Sequence, residues 1–370
     1  MALPVWMLLA LVGATVAVPL VYIIITWEHE MICNYPVLPA PSDLGTKEFR
    51  WRTYLSGMTR SGWRKTVLRS PCPRITLQSH FALLSTDFAK MTTSMGFQEL
   101  KLETIPFIFP QIAVSGLMLQ LLGNSNFPTA LTGLKIKALT ICQLRPLDMR
   151  FRDKELKETD QEKKEEAAPE GLHCLMVLTE KRFLETEVEF SIQTDLFDDQ
   201  GTVWQSTTCI SVPFKQETLV VPLSATAAHL DASLLERSFA EEQTLEYSCS
   251  PHNLDEFNQV NVTNLDGTTV KGDVTPVMWL AGRTAAALQQ QKRVPALPLL
   301  CSMVFDNEDK VPTQTRVNLV SSLSQEESTK DRPVTKVEVK YGNKNVVSGL
   351  LRTVGWVFED NNLNEVAAST

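Results

Sequence analysis

The stretch from Pro106 to Pro146, PFIFPQIAVSGLMLQLLGNSNFPTALTGLKIKALTICQLRP, restricts the fold more than any other part of the chain. Pro110 suits the first turn of a helix, where a missing N–H removes no bond. Residues Ile112 to Leu122 are apolar or small on nearly every side. A helix of that kind is buried rather than laid on a surface. Gly123, Asn124, Ser125 and Asn126 stop it, Phe127-Pro128 turns the chain, and Thr132 to Cys142 reads as an apolar strand packed beside the helix. The segment therefore describes a buried helix covered by a sheet within one short unit.

A chain of 370 residues can hold two domains or one duplicated unit. Its hydrophobic content of 44% against 21% charged residues is that of a protein with a real core. The net charge of −8 argues against nucleic acid as a partner. No zinc-ligand spacing, Gly-rich phosphate loop or Gly-x-Ser-x-Gly elbow is present, so the reading calls for no metal and no cofactor. The seven cysteines are scattered singly, which favours a reducing compartment.

From Pro4 to Ile25 the chain carries no charge, a length suited to crossing a bilayer. Only Met1, Ala2 and Leu3 precede this run, which favours an anchor over a cleaved signal peptide. Residues 1–27 are thus expected to form a transmembrane helix, and the Lys- and Arg-rich residues 28–74 a juxtamembrane segment on anionic headgroups. The expected protein is single-pass, with a cytosolic body and the membrane as a partner.

The body reads as two halves. In residues 75–219 the apolar helix and its strand are followed by a charged loop, 150–170, then strand candidates Leu172–Thr179, Leu184–Leu196 and Thr202–Phe214. Strict alternation in Glu187–Gln193 is that of a half-buried strand. Residues 272–358 repeat the order: a helix opening at Pro276, strands Leu299–Phe305 and Val311–Ser321, and a hairpin from Val334 to Phe358. Residues 220–271 are read as a linker, with a helix over Ser224–Ala240, and 359–370 as a disordered tail.

Phe109-Pro110, the apolar helix, Asn126-Phe127-Pro128, Gly133-Leu134 and Leu144-Arg145-Pro146-Leu147 together resemble the MaoC-like branch of the hot-dog fold. That branch contains acyl-CoA dehydratases and type-2 enoyl-CoA hydratases. In the second half, Met278-Trp279 and Arg283 also match the family. The resemblance implies an α+β double hot dog, two antiparallel sheets each wrapping a central helix, behind the transmembrane helix. It further implies an acyl-thioester or lipid-acyl ligand. Such hydratases use an Asp and a His in a D-x-N-P-x-H motif, with backbone N–H groups at the start of the hot-dog helix for the thioester oxygen. Here the motif is degenerate. The nearest text is Cys249-Ser250-Pro251-His252-Asn253-Leu254-Asp255, and the family's His-Gly pair before Met-Trp is Pro276-Val277.

The resemblance thus points to His252 and Asp255 as the catalytic pair, and to Val277 and Met278 as oxyanion donors. It implies an acyl pocket lined by Ala113, Gly116, Met118 and Trp279. If active, the chain would be an enoyl-CoA hydratase or dehydratase-like lyase. Two other readings stay open: a non-catalytic acyl-binding or scaffold pseudoenzyme, and a hot-dog thioesterase using Asp87, a residue equally suited to cap a helix.

Overall fold

The computed structural model describes residues 30–39, 72–82, 85–97, 106–124, 126–129, 131, 133–147, 172–214, 223–249, 275–306, 311–324 and 334–354. These form eleven strands and five helices. The strands are β1 (Glu30–Tyr35), β2 (Arg74–Phe81), β3 (Lys135–Gln143), β4 (Leu172–Phe183), β5 (Glu187–Asp198), β6 (Gly201–Pro213), β7 (Phe239–Ser248), β8 (Leu299–Phe305), β9 (Arg316–Ser324), β10 (Val334–Tyr341) and β11 (Lys344–Thr353). The helices are α1 (Ser85–Ser94), α2 (Phe109–Ala113), α3 (Ser115–Leu122), α4 (Ala232–Leu235) and α5 (Val277–Gln290).

All eleven strands belong to one sheet, in the order β1-β2-β4-β5-β6-β3-β8-β11-β10-β9-β7. This corrects the expectation of two separate antiparallel sheets, each wrapping its own helix. The seam is β3 against β8, antiparallel, from Ala138 opposite Val304 to Gln143 opposite Leu299. A strand at a sheet edge presents a row of unpaired N–H and C=O groups. Pairing β3 with β8 satisfies both rows at once, so two sheets become one. The sheet is also mixed, because β1 lies parallel to β2 with Glu30 opposite Arg74 and Tyr35 opposite Ser79. About the seam the order is mirrored: β3, β6, β5, β4, β2 on one side and β8, β11, β10, β9, β7 on the other.

The strands form because their apolar residues recur every second position, leaving one face for the core. In β8 burial alternates at every residue, with Leu299, Cys301, Met303 and Phe305 inward. Helix α5 is deeply buried, and Ala281, Ala285, Ala286 and Ala287 are all 1% exposed or less.

Three further expectations are corrected. The helix read over Pro110–Leu122 is two helices, meeting at Val114, whose ψ is 5°. The ladder nonetheless continues, with Val114 N–H bonded to Pro110 O and Met118 N–H to Val114 O. The Ser115-Gly116 pair that follows is a common site of kinks. Second, Ser224–Ala240 is not one helix. Only α4 forms, capped by the Asp231 side chain, which accepts from Ser233 N–H. Residues Thr226 and Ala227 instead reach the buried carboxylate of Glu189 on β5, through Thr226 Oγ1 at 2.5 Å and Ala227 N at 2.9 Å. Strand β7, from within the expected linker, pairs with β9.

Third, the expected transmembrane helix lies outside the described residues. Among those residues no helix is long and apolar enough to cross a membrane. The longest, α5, has 14 residues, against about 20 needed to span. The single-pass membrane placement is therefore set aside.

Candidate functional site

Val277 and Met278, the donors expected from the sequence, open α5. Pro276 precedes the helix in extended conformation (φ −62°, ψ 135°), and its carbonyl accepts from Leu280 N–H. Proline has no N–H, so the first N–H groups of the turn are those of Val277 and Met278. No side chain among the described residues caps this end. Met278 is 6% exposed and Val277 half-buried.

The chain leaves β7 at Cys249 and returns at Thr275, and both are fastened to the same turn. Cys249 N–H bonds Thr315 O and Gln314 N–H bonds Cys249 O, each at 2.7 Å. Thr275 N–H bonds Val311 O at 2.7 Å, and its hydroxyl reaches Pro312 O at 3.3 Å. His252 and Asp255 themselves lie outside the described residues. Burial pushes the Cys249 thiol up to about 11, partly offset by the Thr275 side chain. A raised thiol pKa disfavours the thiolate at neutral pH.

Further along α5, the helix grips the C-terminal end of α1. Three successive carbonyls of that end accept from it: Ser94 O from Trp279 Nε1 at 3.0 Å, Met95 O from Arg283 Nη1 at 3.1 Å, and Gly96 O from Gln290 Nε2 at 3.1 Å. The last carbonyls of a helix lack intrahelical partners, and α5 supplies donors to this end. Gly96 has φ +79°, and a Cβ there would run into the Arg283 guanidinium. Arg283 also lies over the Tyr247 ring, 5.4 Å from its centroid. Tyr247 and Thr284 are buried, and neither hydroxyl has a well-formed hydrogen bond among the described residues. Burial drives the Tyr247 phenol well above its usual range, with the facing Thr284 hydroxyl opposing the shift.

Ala113 ends α2, Gly116 and Met118 lie in α3, and Trp279 is in the first turn of α5. All four are buried in the core. The Trp279 indole N–H is already committed to Ser94 O. Helices α2 and α5 touch, Ile112 coming close to Gly282. Asp87 is the third residue of α1, inside the helix rather than at its N-cap.

Two groups went unread in the sequence. One is the Tyr247–Thr284 pair. The other is a polar cluster beneath α2: Gln111 Nε2 donates to Thr208 Oγ1 at 3.1 Å, and Ser206 Oγ donates to Gln111 Oε1 at 2.5 Å, all buried. Gln111 at the start of an apolar helix, with Ser206 and Thr208 two apart on one strand, was the available signal. Among the described residues no three His, Cys, Asp or Glu side chains gather as metal ligands, and all seven cysteines are free thiols.

No family model matches the sequence, and no curated protein sequence matches it. Solved structures do. HtdX from Mycobacterium tuberculosis is 13% identical, covering 75% of this chain and 99% of that one, at a TM-score of 0.48. A MaoC-like dehydratase from Phytophthora capsici is 14% identical over 78% of this chain and 98% of that one, at 0.44. A conserved hypothetical protein of M. tuberculosis described as having a double hot-dog fold is 10% identical over 74% and 93%, at 0.42. Among the solved structures similar to this chain are thus MaoC-like dehydratases and double hot-dog proteins, and acyl thioesterases as well.

Proposed function

We propose that the chain binds acyl thioesters with the thioester oxygen against the start of α5, and that it hydrates enoyl thioesters inefficiently. The observation carrying this reading is the helix start, which no side chain among the described residues caps and whose first N–H groups, at Val277 and Met278, follow a proline that has none. Helix starts favour negative charge, which is what an enolate oxygen develops. The acyl chain would run into the core along Ala113, Gly116, Met118 and Trp279. Cys249 and Thr275, which flank the stretch containing His252 and Asp255 in sequence, are both pinned to the turn at residues 311–315. His252 is three residues beyond Cys249.

General acid–base assistance contributes about 10²–10⁴-fold, and an oxyanion donor about 10²–10³-fold. The degenerate motif forfeits much of the first, and Pro276 weakens the second. The test measures crotonyl-thioester hydration by the full chain, beside His252→Ala and Asp255→Ala, with calorimetric binding of a saturated acyl-CoA. The expected result is saturable binding with turnover at least about a hundredfold below that of an intact family hydratase. Vigorous turnover lost in His252→Ala would overturn the claim of inefficiency. Absence of acyl-thioester binding would overturn the reading as a whole.

A further inference from the structure

On the sheet face opposite the helices, His80 of β2 stands directly across from His173 of β4. Their ring centroids are 4.7 Å apart, with planes inclined at 50°. His173 in turn stacks on Phe197 of β5, at 5.4 Å and 22°. The Nδ1 atom of His80 is buried and has no hydrogen-bond partner among the described residues. Both rings are half-buried, so their positions are set by packing and by the ladder between two paired strands rather than by a loop. Side chains directly opposed on antiparallel strands have Cβ atoms about 4.5–5.5 Å apart, which holds the two imidazoles within reach of one another.

We propose that His80 and His173 form a two-histidine site for a borderline divalent cation such as Zn²⁺ or Cu²⁺. Imidazole nitrogens bind such ions at about 2.0–2.1 Å, so two that share one ion sit about 3 Å apart. Rings whose centroids are 4.7 Å apart can present nitrogens at that spacing by rotation about χ2. Phe197 steadies the His173 ring, and His80 Nδ1, without a hydrogen-bond partner among the described residues, offers a lone pair in the tautomer protonated at Nε2. The remaining coordination positions fall to water, which makes the ion exchangeable. The ion would tie β2 to β4 close to the edge formed by β1. The preference order places Cu²⁺ above Zn²⁺ at a nitrogen site of this type. This site is remote in sequence from the α5 start and does not depend on the acyl-thioester reading.

The experiment titrates the full chain with Cu²⁺ and records its electron paramagnetic resonance, with Zn²⁺ binding followed calorimetrically. His80→Gln, His173→Gln and His252→Ala are measured in parallel, each checked for native circular dichroism. The expected spectrum shows superhyperfine coupling to two imidazole nitrogens, falling to one in either glutamine variant and unchanged in His252→Ala. Zn²⁺ affinity should fall at least about tenfold in each glutamine variant, since even outer-shell changes at metal sites cost 10–100-fold. Zn²⁺ should raise the melting temperature of the wild type and not of the variants. Binding that survives both glutamine substitutions, or no saturable binding by the wild type, would overturn the proposal.

Discussion

At the scale of single residues, the contact between α1 and α5 allows the most definite expectations. Gly96→Ala should destabilise the protein by about 2 kcal/mol, because a non-glycine residue in the left-handed region costs about 1–2 kcal/mol and its Cβ must also displace Arg283. Gly282→Ala should cost about 1–3 kcal/mol by overpacking, its Cβ meeting the Met95 side chain and Ile112. Tyr247→Phe should be near neutral, since it removes a hydroxyl that forms no good bond. Thermal and denaturant unfolding of the three variants checks the ranking. Asp195 offers a pH test. Burial raises its pKa despite the Gln205 and Gln193 amides that donate to it. An acid with a raised folded pKa opposes folding when ionised, and the opposition fades as pH falls through that pKa. Asp195→Asn should therefore be the more stable protein at neutral pH, with the gap closing under acid. A gap that widens on acidification would contradict the assigned sign.

At the scale of elements, the Leu-Arg-Pro-Leu sequence after β3 acquires a structural reason. Arg145 donates to Gln200 Oε1 at 2.9 Å, to Asp198 Oδ1 at 2.8 Å and to Gly201 O at 2.8 Å. One side chain thereby closes the β5–β6 turn, where Gly201 has φ +105°. Its guanidinium also holds the half-exposed Asp198 carboxyl below the usual range. Arg145→Ala should lower stability by about 1 kcal/mol, as befits a half-exposed charged pair with extra backbone bonding. Hydrogen exchange should quicken selectively at the β5–β6 turn. Uniform quickening across the sheet would assign Arg145 a global role instead. The hairpins β5–β6 and β10–β11 were readable from the alternation of residue types in Glu187–Gln193 and Val334–Tyr341, although β5 is not the half-buried strand expected, since Glu189 and Ser191 are buried along with Val188, Phe190 and Ile192. Strand β7 was not, because its burial is irregular along most of its length.

At the scale of the whole molecule, the β3–β8 seam and the clasp of α1 by α5 join the halves twice. Calorimetry should accordingly show one cooperative transition, with calorimetric and van 't Hoff enthalpies equal. Two resolved transitions would mean that the halves fold independently. What the sequence determined by itself was local: the buried character of α2, α3 and α5, and the paired strands around their turns. These follow from periodicity and turn residues, which are properties of neighbouring positions. Only the tertiary structure decided that the two sheets are one, that β1 joins parallel to β2, and that Trp279 and Arg283 serve as donors to α1. It alone brought Gln111 to Ser206 and His80 to His173. Those facts depend on which strand edges and side chains meet across tens to hundreds of residues, and on satisfying every buried donor and acceptor at once. No local pattern in a chain encodes that.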